Sequence, residues 1–174
     1  LSQPLSADKY DYDGLGRVIR HTEVRFGASA GKAAVASERI VEEFRYDGAS
    51  DRVTLVRQPS VVRGQSHEVQ TTYNDLGQLT QRIERGWAPA LADRPAQPIE
   101  RRVNYRYARI NGRSLLVAID GPLAGEADAT RFEWDARGDY VVRTITPDGV
   151  ANKVLARDAA GRVQRLAQDD GSRY

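Results

Sequence analysis

The stretch "YDYDGLGRV", Tyr10–Val18, decides the fold of this chain. It joins a segment with alternating aromatic residues to a turn that contains Asp13 and Gly16. A second stretch, "FEWDARGDYV" at Phe132–Val141, has aromatic residues, an aspartate and a glycine at the same spacing. A pattern that recurs within one chain is better explained as a structural repeat than as a catalytic or binding site.

The pattern occurs six times, at intervals of 23 to 34 residues, a range typical of repeat architectures. In the fullest copies an Asp or Asn begins the turn and a glycine follows three residues later. Two copies depart further, because Ala108 stands at the Asp position and Asp47 is followed by an extra residue before Asp51. The six turns are anchored at Asp13, Asp47, Asn74, Ala108, Asp135 and Asp158.

Each copy has the sequence of a β-hairpin. Apolar and polar side chains alternate before the turn, so that Val103, Tyr105 and Tyr107 fall on one face. The Asp or Asn side chain accepts a hydrogen bond from the backbone two residues on, and the glycine takes the positive φ that a short hairpin loop requires. The sequence therefore predicts an all-β fold in which antiparallel hairpins stack into a curved sheet strip. The predicted turn-motif residues are Tyr12, Asp13, Gly16, Arg17, Tyr46, Asp47, Tyr73, Asn74, Gly77, Tyr107, Trp134, Asp135, Gly138, Asp158, Gly161 and Arg162.

An arginine follows several of these turns, at Arg17, Arg52, Arg113 and Arg162. Guanidinium groups pair with carboxylates and stack on aromatic rings. We therefore expect these arginines to lie across the neighbouring hairpin, and we favour this structural role over a role in holding a ligand.

Two segments break the pattern. The alanine-rich Gly27–Glu43 predicts a short helix that gives way to a strand at Phe44 and Tyr46. Gly86–Pro98 contains three prolines and predicts a long loop, a feature that is often functional or mobile. Trp87 in this loop is interpreted as a cover over an exposed core edge, with a surface contact as the alternative.

Composition excludes several classes of function. The chain has no cysteine, which removes disulfides and thiolate chemistry. Its 26 basic and 24 acidic residues are interspersed, and no apolar run is long enough to span a bilayer. The sequence therefore predicts neither nucleic-acid binding nor a membrane span.

Catalytic and metal-binding patterns are weak. His21 and His67 are far apart and lack companions at metal-ligand spacing. "GASAGK", residues 27–32, is followed by Ala33 where a phosphate loop needs Ser or Thr, and Asp11–Gly14 lacks the further ligands of a calcium loop. We predict no enzymatic activity, no metal and no cofactor.

The units "YDYDGLGRV", "TYNDLGQL", "FEWDARGDY" and "ARDAAGRV", together with the linker "IDGPLAGEADATRFEWDARG" at Ile119–Gly138, resemble the bacterial YD-repeat or Rhs family over essentially the whole chain. Gln78 and Asp139 depart from the family's arginine position. In that family such repeats form a β-sheet strip that spirals into a hollow shell around a toxic C-terminal polypeptide. The cocoon components of insecticidal toxin complexes and the teneurin ectodomains are similar.

The resemblance implies that residues 1–174 are a repeat segment of about six hairpins, with a proline-rich insertion at 86–98. Because the sequence begins at Leu1, we expect it to be a fragment of a larger chain. The implied function is a wall that protects a toxin, exported by type VI-like delivery or held at the cell surface in bacterial competition. The implied partners are flanking repeats of the same polypeptide, the enclosed toxin, and secretion spike or chaperone proteins. No stretch matches the family's self-cleavage segment.

A carbohydrate- or cell-surface-binding module is the alternative function. Aromatic rings on a sheet stack well on sugars, and Trp87 and Tyr105 are the residues with which we would expect such a surface to make contact. The same aromatic side chains also have positions that favour burial between hairpins, which is the interpretation we prefer. In either case unpaired strand edges are expected to promote association with another chain.

Overall fold

A computed structural model describes residues 6–27 and 35–169. Within these residues twelve antiparallel strands pair in sequence order to form one open sheet, and there is no helix. The prediction of an all-β fold of stacked antiparallel hairpins is therefore confirmed. The strands are β1 (Ser6–Tyr12), β2 (Val18–Gly27), β3 (Val35–Tyr46), β4 (Val53–Pro59), β5 (Ser66–Tyr73), β6 (Leu79–Ala88), β7 (Gln97–Ile110), β8 (Arg113–Asp120), β9 (Thr130–Trp134), β10 (Val141–Ile145), β11 (Ala151–Arg157) and β12 (Val163–Asp169).

The chain divides into two compact units. The first consists of Leu1–Thr72 with Arg82–Glu100, and the second of Tyr73–Gln81 with Arg101–Tyr174. The first unit contains β1 to β4 and most of β5 and β6, and the second contains most of β7 and all of β8 to β12.

Neither unit has a large dry core among the described residues. In the first unit the buried side chains are Thr22 and Ile83, and in the second they are those of Ala118, Ala129 and Ala151. Strands such as β4 and β10 are half-buried at nearly every position, without the alternation of buried and exposed residues that a sheet with one covered face shows. Side chains on both faces are therefore covered mainly by their neighbours along the sheet.

The first turn shows the local chemistry of the repeat. Asp13 Oδ1 accepts hydrogen bonds from the backbone N–H groups of Leu15 and Arg17, at 2.9 and 3.0 Å. Gly16 has a φ of 78°, which a residue with a Cβ adopts only at a cost. Asn74 and Asp158 make the same pair of backbone hydrogen bonds in the third and sixth turns.

The fourth turn is tighter than the sequence alignment predicts. Asn111 and Gly112 both have positive φ, at 48° and 76°, which is the conformation of a two-residue type I′ hairpin turn. Strand β7 therefore continues to Ile110, and Ala108, aligned with the turn aspartates, lies within the strand. The Asn-Gly pair moves the turn because it favours left-handed backbone more strongly than the residues around Ala108.

The two segments that break the pattern also differ from expectation. The predicted helix is wrong from Val35 onward, because β3 runs from Val35 to Tyr46 and pairs with β2, while residues 28–34 lie outside the described part of the chain. Sheet pairing here outweighs the helix propensity of alanine. The proline-rich connection is shorter than predicted, because β6 continues through Trp87 to Ala88 and β7 begins at Gln97.

Two glycines in the first turn provide a matched test of this backbone. Gly16→Ala is expected to lower the free energy of unfolding by about 1 kcal/mol, because alanine would be held in the left-handed region. Gly14→Ala is the control, since Gly14 lacks a positive φ and an added Cβ would meet open space at either position. Urea denaturation of both variants checks the prediction, which equal stabilities would contradict.

Candidate functional site

A recurring hydrogen bond joins each hairpin to the one before it. The hydroxyl of Tyr46, at the end of β3, donates to the backbone carbonyl of Val18, at the start of β2, over 2.7 Å. We call this contact a clasp: a side chain from the first strand of one hairpin donates to a carbonyl near the start of the second strand of the preceding hairpin. The five clasps are Tyr46 to Val18, Thr71 to Val53, Tyr107 to Leu79, Trp134 to Leu116, and Arg157 to Val141.

In four of the five clasps the accepting residue borders a β-bulge of its own hairpin. The pairing of β1 with β2 shifts register just before Tyr12 meets Val18, and the ladder between β2 and β3 begins only at Arg20 and Glu43. The Val18 carbonyl therefore lies beyond the end of that ladder. Three other acceptors lie in the same position. Each is two residues before the point at which its strand first pairs with the following strand, and these acceptors are Val53 in β4, Leu116 in β8 and Val141 in β10.

The clasp gives the accepting backbone carbonyl a hydrogen-bond donor. A backbone carbonyl removed from water costs free energy when it is unpaired. The donors differ in chemistry, since they are phenol, hydroxyl, indole and guanidinium groups, but the acceptor is always backbone. The distances of the Tyr107, Trp134 and Arg157 clasps lie between 2.8 and 2.9 Å. The clasps therefore continue the bonding between hairpins past the end of the strand ladders.

Some turn side chains also reach the next turn. Arg17 donates to the carbonyls of Gly48 and Ser50, and its guanidinium carbon lies 4.4 Å from the centre of the Tyr46 ring. Its Nε atom remains bonded to Asp13 Oδ2 at 2.7 Å. Gln78, which replaces arginine in the third turn, donates to the carbonyl of Ser114 at 3.0 Å.

The predicted position of the turn arginines is therefore found for some of them. Arg113 pairs with Asp139 of the next hairpin at 3.0 Å. Arg52 and Arg162 instead pair with the aspartates of their own turns, at 3.4 and 2.7 Å. Whether the arginine reaches the next hairpin depends on the length and shape of both turns.

The structure places the other predicted motif residues in two groups. Tyr12, Tyr46, Tyr73 and Trp134 are the last residues of their strands, whereas Tyr107 lies three residues before the end of β7. The remaining residues lie in the turns, where the backbone N–H of each turn glycine donates to the carbonyl of the Asp or Asn that begins the turn. These pairs are Gly16 with Asp13, Gly77 with Asn74, Gly138 with Asp135, and Gly161 with Asp158; in the second turn Ser50 donates to Asp47.

Trp87 lies beside a cleft in the first unit. The cleft has a volume of about 410 Å³ and is also lined by Glu68, Arg85, Pro98 and Glu100. Arg85 pairs with Glu100 at 2.8 Å, so two of the charged groups at this cleft are partners of each other. In the second unit, Tyr105 is half-buried in β7, and its hydroxyl makes no hydrogen bond to a described residue.

The histidines pair with carboxylates on adjacent strands. His21 lies 2.8 Å from Asp8 and stacks on Tyr10, with 4.6 Å between ring centres. His67 lies 2.9 Å from Glu84, and this contact, followed by that of Arg82, holds the pKa of Glu84 below its ordinary value. Residues 6–27 and 35–169 contain no group of three or more His, Asp or Glu side chains that could hold a metal ion.

Two clasp donors were missed by the sequence analysis. Arg157 occupies the place that an aromatic residue takes in other repeats, so its alignment with Tyr12 is a signal that could have identified it. Thr71 lies two residues before the aromatic position and carries no comparable signal. No helix in the described ranges is long and apolar enough to cross a bilayer.

Comparisons with known proteins do not assign the chain. No protein-family model matches it, and no curated protein resembles it significantly. The resemblance of the repeat units to YD-repeat proteins therefore rests on the sequence pattern alone.

The clasp in the fourth hairpin can be tested with two tyrosines of one strand. Tyr107→Phe is expected to lower the free energy of unfolding by about 1 kcal/mol, because the Leu79 carbonyl loses its donor. Tyr105→Phe removes a hydroxyl that makes no hydrogen bond to a described residue and is the matched control. Urea denaturation of both variants is the measurement, and an equal loss from the two would contradict a specific role for the clasp.

The turn aspartates predict sensitivity to acid. The hydrogen bond from Arg17 holds the pKa of Asp13 below 3.8, and backbone N–H groups of Tyr140 and Arg162 do the same for Asp135 and Asp158. A carboxyl group with a lowered pKa stabilises the fold above its unfolded pKa, and this contribution is lost as the pH falls through the folded pKa.

We therefore expect stability to fall between about pH 5 and about pH 2. A variant with all three aspartates changed to asparagine keeps a turn acceptor, as Asn74 does, and should depend less on pH over this range. Urea midpoints measured across the range for both proteins provide the comparison. Parallel pH curves would show that these carboxylates do not carry the effect.

Proposed function

We propose that this chain is a segment of the wall of a β-sheet shell that encloses and protects a C-terminal toxin during delivery to competing cells or a host. The observation that carries the proposal is the clasp, which fixes every hairpin to the preceding one in the same way. A sheet with such a joint extends by adding hairpins, without a new kind of contact. That property suits a long wall.

The exposure of the sheet supports the same role. Ile19, Ile40, Leu155 and Leu166 expose 37%, 42%, 46% and 58% of their surface, although all lie within strands. A single sheet leaves such side chains half-exposed on its faces, and burying apolar area is the main favourable term in folding and association. If the sheet encloses a polypeptide that has unburied apolar groups, those groups can bury the exposed apolar side chains on the inner face of the sheet.

The polar groups support a structural role over catalysis. Each histidine is paired with a carboxylate, and the aspartates of the turns accept backbone hydrogen bonds within their own loops. Catalytic sites instead bring titratable groups together around a space for substrate. In this proposal the wall supplies containment, and the toxin supplies the chemistry.

The proposal includes the surroundings of the segment. Flanking repeats of the same polypeptide continue the sheet, and the toxin is the enclosed partner. Secretion spike or chaperone proteins bind the assembled particle, which leaves a bacterial cell by type VI-like delivery or is held at the cell surface. These elements follow from the resemblance of the repeat units to the YD-repeat family.

Carbohydrate or cell-surface binding is the second candidate function. It is favoured by Trp87, whose indole lines the cleft with Pro98 and Glu100 and whose N–H makes no hydrogen bond to a described residue. Tyr107 and Trp134 are less suited to sugar binding, because their polar atoms are used in clasps. At the cleft Arg85 pairs with Glu100, and Glu68 pairs with Arg57, which makes this function the weaker candidate.

Negative-stain electron microscopy of the parent polypeptide, including its C-terminal region, tests the proposal. A hollow closed particle with density inside is expected. Limited proteolysis of the same protein should leave the enclosed region intact, and the double variant Tyr46→Phe with Tyr107→Phe should make that region easier to digest because two clasps are lost. An extended or solid particle would contradict the shell and favour surface binding through Trp87 and Tyr105.

A further inference from the structure

A second cleft of the first unit, which we call the arginine cleft, lies where β2, β3 and β4 run side by side. Its volume is about 310 Å³. Three guanidinium groups and one carboxylate line it, those of Arg20, Arg45, Arg57 and Glu43. Positive charge is therefore in excess among the lining residues.

Strand register places these charged groups on one face of the sheet. Glu43 of β3 lies opposite Arg20 of β2 on one side and opposite Arg57 of β4 on the other. Arg45 follows Glu43 by two residues and lies opposite Leu55, so it projects from the same face. The arginine cleft is thus formed by neighbouring positions in the middle of a paired region.

The three arginines differ in how their charge is compensated. Arg20 pairs with Glu43 at 3.1 Å, and Arg57 pairs with Glu68 at 2.7 Å. Arg45, in contrast, makes no ion pair or hydrogen bond with a described residue. Because a guanidinium group stays charged at neutral pH, Arg45 brings a positive charge to the cleft that no described carboxylate neutralises by contact.

The arginine cleft also has apolar walls. Ile19 and Leu55 line it beside the arginines. Ile19 exposes 37% of its surface, and Leu55 is half-buried. Binding sites for small molecules combine apolar walls with a few polar groups that orient the ligand. A ligand that suits this cleft therefore has an anionic group and an apolar part.

We propose that the arginine cleft binds a carboxylate carried on a short apolar stem. The planar fork of Arg45 pairs with the two carboxylate oxygens, and the partly compensated Arg20 and Arg57 add attraction at longer range. Ile19 and Leu55 contact the stem and remove apolar surface from water. A phosphate would suit the arginines as well, but it would make no use of the apolar walls.

A nuclear magnetic resonance titration of the 174-residue chain with hexanoate tests the proposal, with acetate and inorganic phosphate as comparison probes. We expect hexanoate to bind with a millimolar dissociation constant, as a small ligand held by one ion pair and a short stem does. Acetate should bind more weakly because it lacks the stem. The affinity for hexanoate should fall as sodium chloride is added, because salt screens the attraction.

Substitutions at Arg45 test the role of its guanidinium group. Arg45→Ala should raise the dissociation constant for hexanoate about tenfold, since charge-assisted hydrogen bonds are lost. Arg45→Lys should have a smaller effect, because lysine keeps the charge and loses the fork. Arg39→Ala is the matched control: Arg39 also lies in β3 and also makes no ion pair with a described residue, but it lies opposite Glu23, outside the arginine cleft. Circular dichroism should show that all three variants fold.

Three results would overturn the proposal. The first is the absence of hexanoate binding at low salt by the folded chain. The second is an equal loss of binding in Arg45→Ala and Arg39→Ala, which would show attraction to the overall charge and not to a site. The third is inorganic phosphate that binds as tightly as hexanoate, which would leave the apolar walls without a role. The proposal stands apart from the shell function, since none of these results depends on a toxin.

Discussion

The fold depends on a backbone carbonyl that lies beyond the end of a strand ladder. In the first two hairpins a β-bulge shifts the register near the turn, and β2 and β4 begin two residues before they first pair with the next hairpin. Among the described residues only a few small or medium-sized side chains are buried, so core packing contributes little to holding neighbouring hairpins together. The side-chain donor to that carbonyl therefore fixes one hairpin against the next where the backbone bonds end.

The sequence was sufficient to predict the hairpins because their signals are local. Asp13 and Gly16 form the predicted turn through contacts within five residues. Asn111 and Gly112 were also visible as a turn pair, but the alignment on Ala108 gave priority to the repeat over the stronger local preference. The alanine-rich segment was predicted as a helix because pairing with β2 depends on residues distant in sequence.

The clasps were harder to predict than the turns. Their donors act across a boundary between hairpins, so each contact depends on the geometry of two hairpins and not of one. Thr71 and Arg157 fill the same role as Tyr46 without sharing its chemistry. Trp87 shows the same limit, since β6 extends through it to Ala88, into the segment whose prolines predicted a loop. Local patterns thus predict the units, and only the assembled sheet identifies the joints.

The use of a backbone acceptor has a consequence for how such a chain tolerates mutational drift. Every residue type supplies a carbonyl, so no substitution at Val18, Val53 or Val141 deletes the acceptor. The donor side needs only a polar hydrogen at a suitable reach, which phenol, hydroxyl, indole and guanidinium groups all provide. Repeats of this kind can therefore diverge until few letters are shared while the joint between them persists.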